Sequence, residues 1–149
     1  MVAGREEVED CIFCRIIKGI EHAFIPYMDD KVIVFLDKYP VSKAHTLIAP
    51  IRHYSNIFEA DDESLCRIIK LARIVAKIIR DKFGADGIRI VQNNGSLAGQ
   101  VIFHLHFHVI PYYRNSKMVR YRRTLDRWEG EEVSTILREE IRRELGENN

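Results

Sequence analysis

Apolar positions recur along this chain in two rhythms. Five short runs rich in β-branched and aromatic residues are bounded by turn formers, which is how strands read. They are Ala23 to Met28 and Val32 to Leu36, flanking Asp29-Asp30 as a β-hairpin; Thr46 to Ala49, ending at Pro50; Gly87 to Gln92; and Val101 to Ile110, ending at Pro111. Three other stretches carry helical spacing. Cys11 to Gly19 places Ile12, Phe13, Ile16 and Ile17 ahead of a glycine stop and predicts a short amphipathic helix with Cys11-x-x-Cys14 on its first turn. The longest opens on Asp61-Asp-Glu-Ser, keeps Leu65, Ile68, Ala72, Val75, Ile79 and Phe83 in one row, and stops at Gly84. Glu131 to Leu145 forms a charged helix with Val133, Ile136, Leu137, Ile141 and Leu145 on one side. The order predicts an α+β fold: an antiparallel sheet of about five strands, one main helix, a short N-terminal helix and a charged C-terminal helical tail.

Composition narrows the class. At 149 residues and 46% hydrophobic, the chain is read as a single domain over 1–149, with a core at about 11–111 and an extension at 114–149. The 23 basic and 22 acidic side chains leave a net charge of +1, which advertises neither nucleic acid nor membrane. With no long apolar run and an acidic N-terminus, a soluble cytoplasmic protein is expected. Arg114, Arg120, Arg122 and Arg123 form a basic run beside Glu129 to Glu132, read as a solvated face or a contact between subunits. The three cysteines are too few for a disulfide framework, and Cys66, among the apolar residues of the long helix, reads as a small buried hydrophobe.

The chemistry concentrates in Gly99-Gln-Val-Ile-Phe-His-Leu-His-Phe-His-Val-Ile-Pro111. Read as a strand, this run puts His104, His106 and His108 on one face, roughly 6.6 Å apart at Cα, and Leu105, Phe107 and Val109 on the other. Three imidazoles in a row suggest either a metal held by three histidines or a histidine nucleophile flanked by histidines that hold a phosphate. Cys11 and Cys14 supply two thiols, and with His53 and His104 they make a closed tetrahedral set of the structural-zinc type. His22 and His45 compete for the histidine places. Asp37 alone reads as a turn residue before Pro40.

Taken together, His104-Leu-His106-Phe-His108-Val-Ile resembles the His-φ-His-φ-His-φ-φ signature of the histidine triad family of nucleotide-binding hydrolases and transferases. Cys11-Ile-Phe-Cys14-Arg-Ile-Ile-Lys-Gly, Phe35-Leu-Asp37 with Pro40, His45-Thr-Leu-Ile-Ala-Pro50 with His53, and Asn93, Gly95 and Gly99-Gln100 extend the resemblance over about residues 11 to 111. It implies His106 as the nucleophile that attacks the α-phosphorus and carries a nucleotidyl-histidine, and His108 as the partner that contacts phosphate oxygens and leaving group. In zinc-bearing relatives the metal ligands correspond to Cys11, Cys14, His53 and His104. Asp37 matches the ribose-binding carboxylate, Phe13, Ile16 and Phe35 the walls of the base pocket, and Asn93, Gly99, Gln100 and the backbone at Val101 the phosphate loop. The implied substrate is a purine nucleotide conjugate, either a nucleoside phosphoramidate or a dinucleoside polyphosphate, and the implied assembly a homodimer whose sheets join. A nucleotide-binding sensor without catalysis is the alternative. Three positions depart from the pattern: Val101 where some relatives carry serine or threonine, Ala44 where many carry glycine, and Tyr112 where several dinucleotide-cleaving relatives carry arginine. Trp128, in the extension, either reaches a partner's active site or packs.

Overall fold

The computed structural model describes residues 10–116 and 123–147. Five strands form one antiparallel sheet, β1 (Tyr27–Met28), β2 (Val32–Leu36), β3 (Thr46–Pro50), β4 (Gly87–Val91) and β5 (Phe107–Tyr112), in the order β1-β2-β3-β5-β4. Among the described residues three α-helices cover it: α1 (Ile12–Ile17), α2 (Asp62–Phe83) and α3 (Arg127–Glu144). The α+β architecture expected from the sequence is the one observed.

Both central strands are buried along their whole length, because both faces of the sheet are covered. Val32, Val34, Leu36 and Ile48 point to one face, where they pack with Ile68, Leu71 and Val75 of α2 and Val133, Leu137 and Ile141 of α3. Ile33, Phe35, Leu47 and Ala49 point to the other, where Phe13 and Ile16 of α1 cover them. The three histidines of the triad share this second side with α1. The long helix runs between the ends its sequence marks, with Asp61 capping Ser64 N and Gly84 ending it in the left-handed conformation.

Four expectations need correction. The triad strand starts at Phe107 and not at Val101, so His104 and His106 lie in an irregular run-in and only His108 sits in β5. Register gives the reason: Ile48 pairs with Phe107, which sets Pro50 opposite Leu105, and a proline has no N–H to continue a ladder. Leu105 N–H donates instead to Tyr54 O at 2.7 Å. The first arm of the hairpin likewise shrinks to Tyr27–Met28, because Pro26 precedes it. Helix α3 starts at Arg127, where Asp126 caps Trp128 N and Glu129 N. It is no loose tail: Gly130 lies so close to Phe24 that a Cβ would meet the ring at 2.4 Å, and Leu125 N–H donates to Lys38 O at 2.7 Å. Finally, Cys66 is exposed, because the buried face of α2 is centred on Ile68, Leu71, Val75 and Ile79, on the opposite side of the helix from it. Ala44 adopts φ 72, a conformation that strains an L side chain. Arg120 and Arg122 lie outside the described residues.

Candidate functional site

Cys11 is the N-cap of α1 and its sulfur accepts from Cys14 N, so both thiols face one point. His53, just past β3, and His104 meet them there. Cys11 Sγ lies 3.4 Å from His104 Nδ1, and Cys14 Sγ lies 3.3 Å from His53 Nδ1 and 3.6 Å from His104 Nδ1. Tetrahedral bonds of zinc to sulfur and nitrogen put such donors about 3.6 Å apart, so the four atoms already stand near the required spacing. His104 Nε2 is 2.9 Å from Pro50 O. A carbonyl only accepts, so Nε2 carries the proton and the Nδ1 lone pair faces the thiols. Burial pulls the His104 pKa down to about 4, which keeps the ring neutral, and burial with the neighbouring Cys11 pushes Cys14 up to about 12. Two thiols and two imidazoles gathered in this way form a donor set that a divalent cation would complete. His22 stacks on Phe24 at 4.9 Å and His45 lies elsewhere, so neither belongs to this group.

The other two triad rings serve a different place. His106 Nδ1 is 2.7 Å from His104 O, so Nδ1 carries the proton and the lone pair is on Nε2. Phe13 meets the same ring edge-on at 5.0 Å. A single metal on all three histidines is therefore ruled out by geometry, since the His104 lone pair points to the cysteines.

His45 is the residue that sequence reasoning left among the metal candidates. It is 1% exposed, its Nδ1 accepts from Val41 N–H at 3.2 Å, and its Nε2 lies 3.0 Å from His108 Nδ1 and 3.4 Å from Asp37 Oδ2. Asp37, His45 and His108 could pass for a two-histidine, one-carboxylate metal site. The backbone donor at Nδ1 argues otherwise: it fixes the proton on His45 Nε2, where a metal would need a lone pair. Val41, His45 and His108 form a hydrogen-bonded chain in which His45 Nε2–H donates to His108 Nδ1, which leaves His108 with its proton on Nε2, and Asp37 Oδ2 stands beside the same His45 nitrogen. The pairing of Leu47 with His108 is what brings His45 into reach, and register between distant strands is not written in local sequence.

These groups open into one cleft of about 790 Å³, within the range of small-molecule sites. Its walls include Phe13, Ile16 and Phe35, its floor Asp37, His106 and His108, and its rim Asn93, Gly99 and Val101. Gly99 takes φ 94, and a Cβ there would crowd the Asn93 amide at 3.4 Å. Gln100 is buried and braces the loop from behind: its amide donates to Ser55 O and Ile102 O, and its Oε1 accepts from Gly95 N. Thr124, Leu125 and Arg127 of the extension complete the cleft.

The HIT domain family matches residues 19–115. Among solved structures, a histidine triad nucleotide-binding protein of Sulfolobus tokodaii is 38% identical with a TM-score of 0.83, over 93% of this chain and 99% of that one. A zinc-bound histidine triad family protein of Mycobacterium smegmatis is 30% identical with a TM-score of 0.81, over 95% and 99%. The adenylylsulfatase HINT3 of Arabidopsis thaliana is 37% identical over 102 residues, covering 68% of this chain and 52% of that protein.

Nitrogen-15 NMR of the histidine side chains is expected to show His106 protonated on Nδ1, and His45, His104 and His108 protonated on Nε2. The opposite tautomer at His106 would remove the proposed orientation of its lone pair.

Proposed function

The chain belongs to the HIT family, and on that premise we propose that it cleaves purine nucleotide conjugates at the α-phosphate through a nucleotidyl-histidine formed on His106. The observation that carries this reading is the His106 Nδ1–H···O=C bond from His104 at 2.7 Å, in a ring that lines the cleft beside Asp37 and the glycine-rich loop. A neutral imidazole with its proton anchored on one nitrogen is a competent nucleophile at the other.

In the first displacement His106 Nε2 forms a bond to the α-phosphorus as the bond to the leaving group breaks, and the leaving group takes the electron pair. Positive charge spreads over the ring and strengthens the Nδ1–H bond to the carbonyl. His108 Nε2–H and the backbone N–H groups around Gly99 and Val101 meet the charge on the phosphate oxygens. In the second displacement water attacks the same phosphorus, the P–N bond to His106 breaks so that the ring leaves neutral, and the proton that the water sheds replaces the one taken up by the departing leaving group. Asp37, whose Oδ1 accepts from Tyr39 N, is held to take the ribose hydroxyls. The adenylylsulfatase relative supports a hydrolase of nucleotide conjugates.

The second part of the reading is a structural zinc ion held by Cys11, Cys14, His53 and His104. It supplies no reacting atom. It ties α1, and with it Phe13 and Ile16, to the segment whose carbonyl orients His106. The zinc-bound Mycobacterium relative supports it. The third is a homodimer. The sheet leaves β4 at one edge, and beside it a groove floored by Ile69, Ala72, Ala76, Ile88 and Ile90 lies open, with Ile69 and Ile90 about half exposed. An open apolar edge of this kind calls for a partner, and a second copy can pair β4 with β4.

His106→Ala is expected to cut turnover of an adenosine phosphoramidate by at least about a thousandfold while calorimetry still shows nucleotide binding; retained turnover defeats the mechanism. Cys14→Ala should lose the equivalent of zinc that elemental analysis finds in the purified protein and should melt at lower temperature, and an unchanged metal content would count against the assigned ligands. Ile90→Asp should convert a dimer to a monomer in light scattering. If the unaltered protein is already monomeric, the proposed interface is wrong.

A further inference from the structure

Phe13 connects the cysteine pair to the triad. It stands between Cys11 and Cys14 in the chain, and its ring lies edge-on at 5.0 Å from Phe35, 5.8 Å from His104 and 5.0 Å from His106. Ile16 rides on the same helix and lines the same cleft. Beyond its apolar packing, α1 meets the segments that carry His53 and His104 through the sulfurs of Cys11 and Cys14. Any step that turns those sulfurs away loosens a wall of the cleft.

The sulfurs are placed for such a step. Both cysteines are free, and Cys11 Sγ lies 3.4 Å from the His104 Nδ1 that Cys14 Sγ approaches at 3.6 Å. The two sulfurs stand within 4.8 Å of one another, a gap that rotation about the Cα–Cβ bonds can close, and C-x-x-C at the start of a helix is the spacing of reversible disulfides. The cluster is not sealed. Cys11 keeps 9% of its surface exposed and His53 is only partly buried, which gives a molecule as small as hydrogen peroxide a way in.

We propose that Cys11 and Cys14 form a redox modification site: peroxide joins them in a disulfide, the proposed zinc loses its sulfur ligands, and the untied α1 lowers the affinity of the cleft for nucleotide. The effect on affinity rests on the nucleotide reading of the cleft. One sulfur attacks the O–O bond of hydrogen peroxide, giving a sulfenic acid and a first water. The other sulfur then displaces the sulfenic oxygen as a second water, and the S–S bond forms. The pair is oxidised by two electrons, the peroxide is reduced, and the two thiol hydrogens leave in the waters. Sulfurs turned toward each other no longer face the imidazoles. Phe13 and Ile16 then have to be ordered again whenever a nucleotide binds between α1 and Phe35.

The test uses the full chain with Cys66→Ser, which removes the exposed third thiol. After brief treatment with hydrogen peroxide the intact mass should fall by two hydrogen atoms, a peptide map should place the disulfide between Cys11 and Cys14, and the bound zinc should appear in solution. Calorimetric titration with adenosine 5′-monophosphate should then show an affinity roughly fivefold to tenfold below that of the reduced protein, the cost of ordering one or two side chains on binding. Dithiothreitol with added zinc should restore it. Replacing both cysteines, Cys11→Ser with Cys14→Ser, should remove the response to peroxide. Thiols that stay reduced while glutathione in the same tube is oxidised, or oxygen added in place of hydrogen lost, overturn the proposal while the nucleotide reading stands. So does a disulfide that leaves nucleotide affinity unchanged. Failure of the reduced protein to bind the nucleotide overturns both.

Discussion

The position of Pro50 sets the terms for everything on the cleft face. A proline opposite Leu105 ends the ladder between β3 and β5, and the carbonyl that proline still offers is taken by His104 Nε2 at 2.9 Å. That one bond decides the tautomer of His104 and aims its Nδ1 at Cys11 and Cys14. Because the chain here is no longer a strand, the carbonyl of His104 is also released from sheet pairing and accepts from His106 Nδ1 at 2.7 Å. A single residue therefore faces the thiols with its ring and orients the next histidine with its backbone.

A second chain of hydrogen bonds sets His108 in the same way, from a different source. Val41 N–H holds His45 Nδ1, and His45 Nε2 in turn meets His108 and Asp37. The two chains reach the cleft from the two ends of β3, and the rings of His106 and His108 stand 5.0 Å apart. Both start at backbone groups, which are the most reproducibly placed donors and acceptors a fold can offer. Burial keeps water from competing with them, as the fully enclosed His104 and nearly enclosed His45 illustrate.

Support for this face comes from the other side of the sheet. Strands β2 and β3 have no solvent-facing residue, since α2 and α3 cover one side and α1 the other. The extension adds both packing and shape. Val133, Leu137 and Ile141 complete the core behind the sheet, while the segment leading into α3 folds over to close the cleft in front. One element thereby links stability to the outline of the binding site.

The sequence by itself determined whatever depends on near neighbours along the chain. Alternation and 3-4 spacing located the five strands and the helices, and Asp61 and Gly84 marked the ends of α2, since these follow from side-chain periodicity and capping, while Cys11-x-x-Cys14 and the spaced histidines marked the candidate site residues. Tertiary structure decided what depends on the register of distant strands and on the rotation of helices. Only pairing across the sheet showed that β5 begins at Phe107, that His45 stands against His108, and that Pro50 holds His104. Only the packing of α2 on the sheet showed Cys66 to be exposed, and only the approach of Gly130 to Phe24 turned a charged tail into a wall of the cleft. The physical reason is common to all of these: a contact between residues far apart in sequence leaves no periodic trace in either segment, so it exists only once the chain has folded.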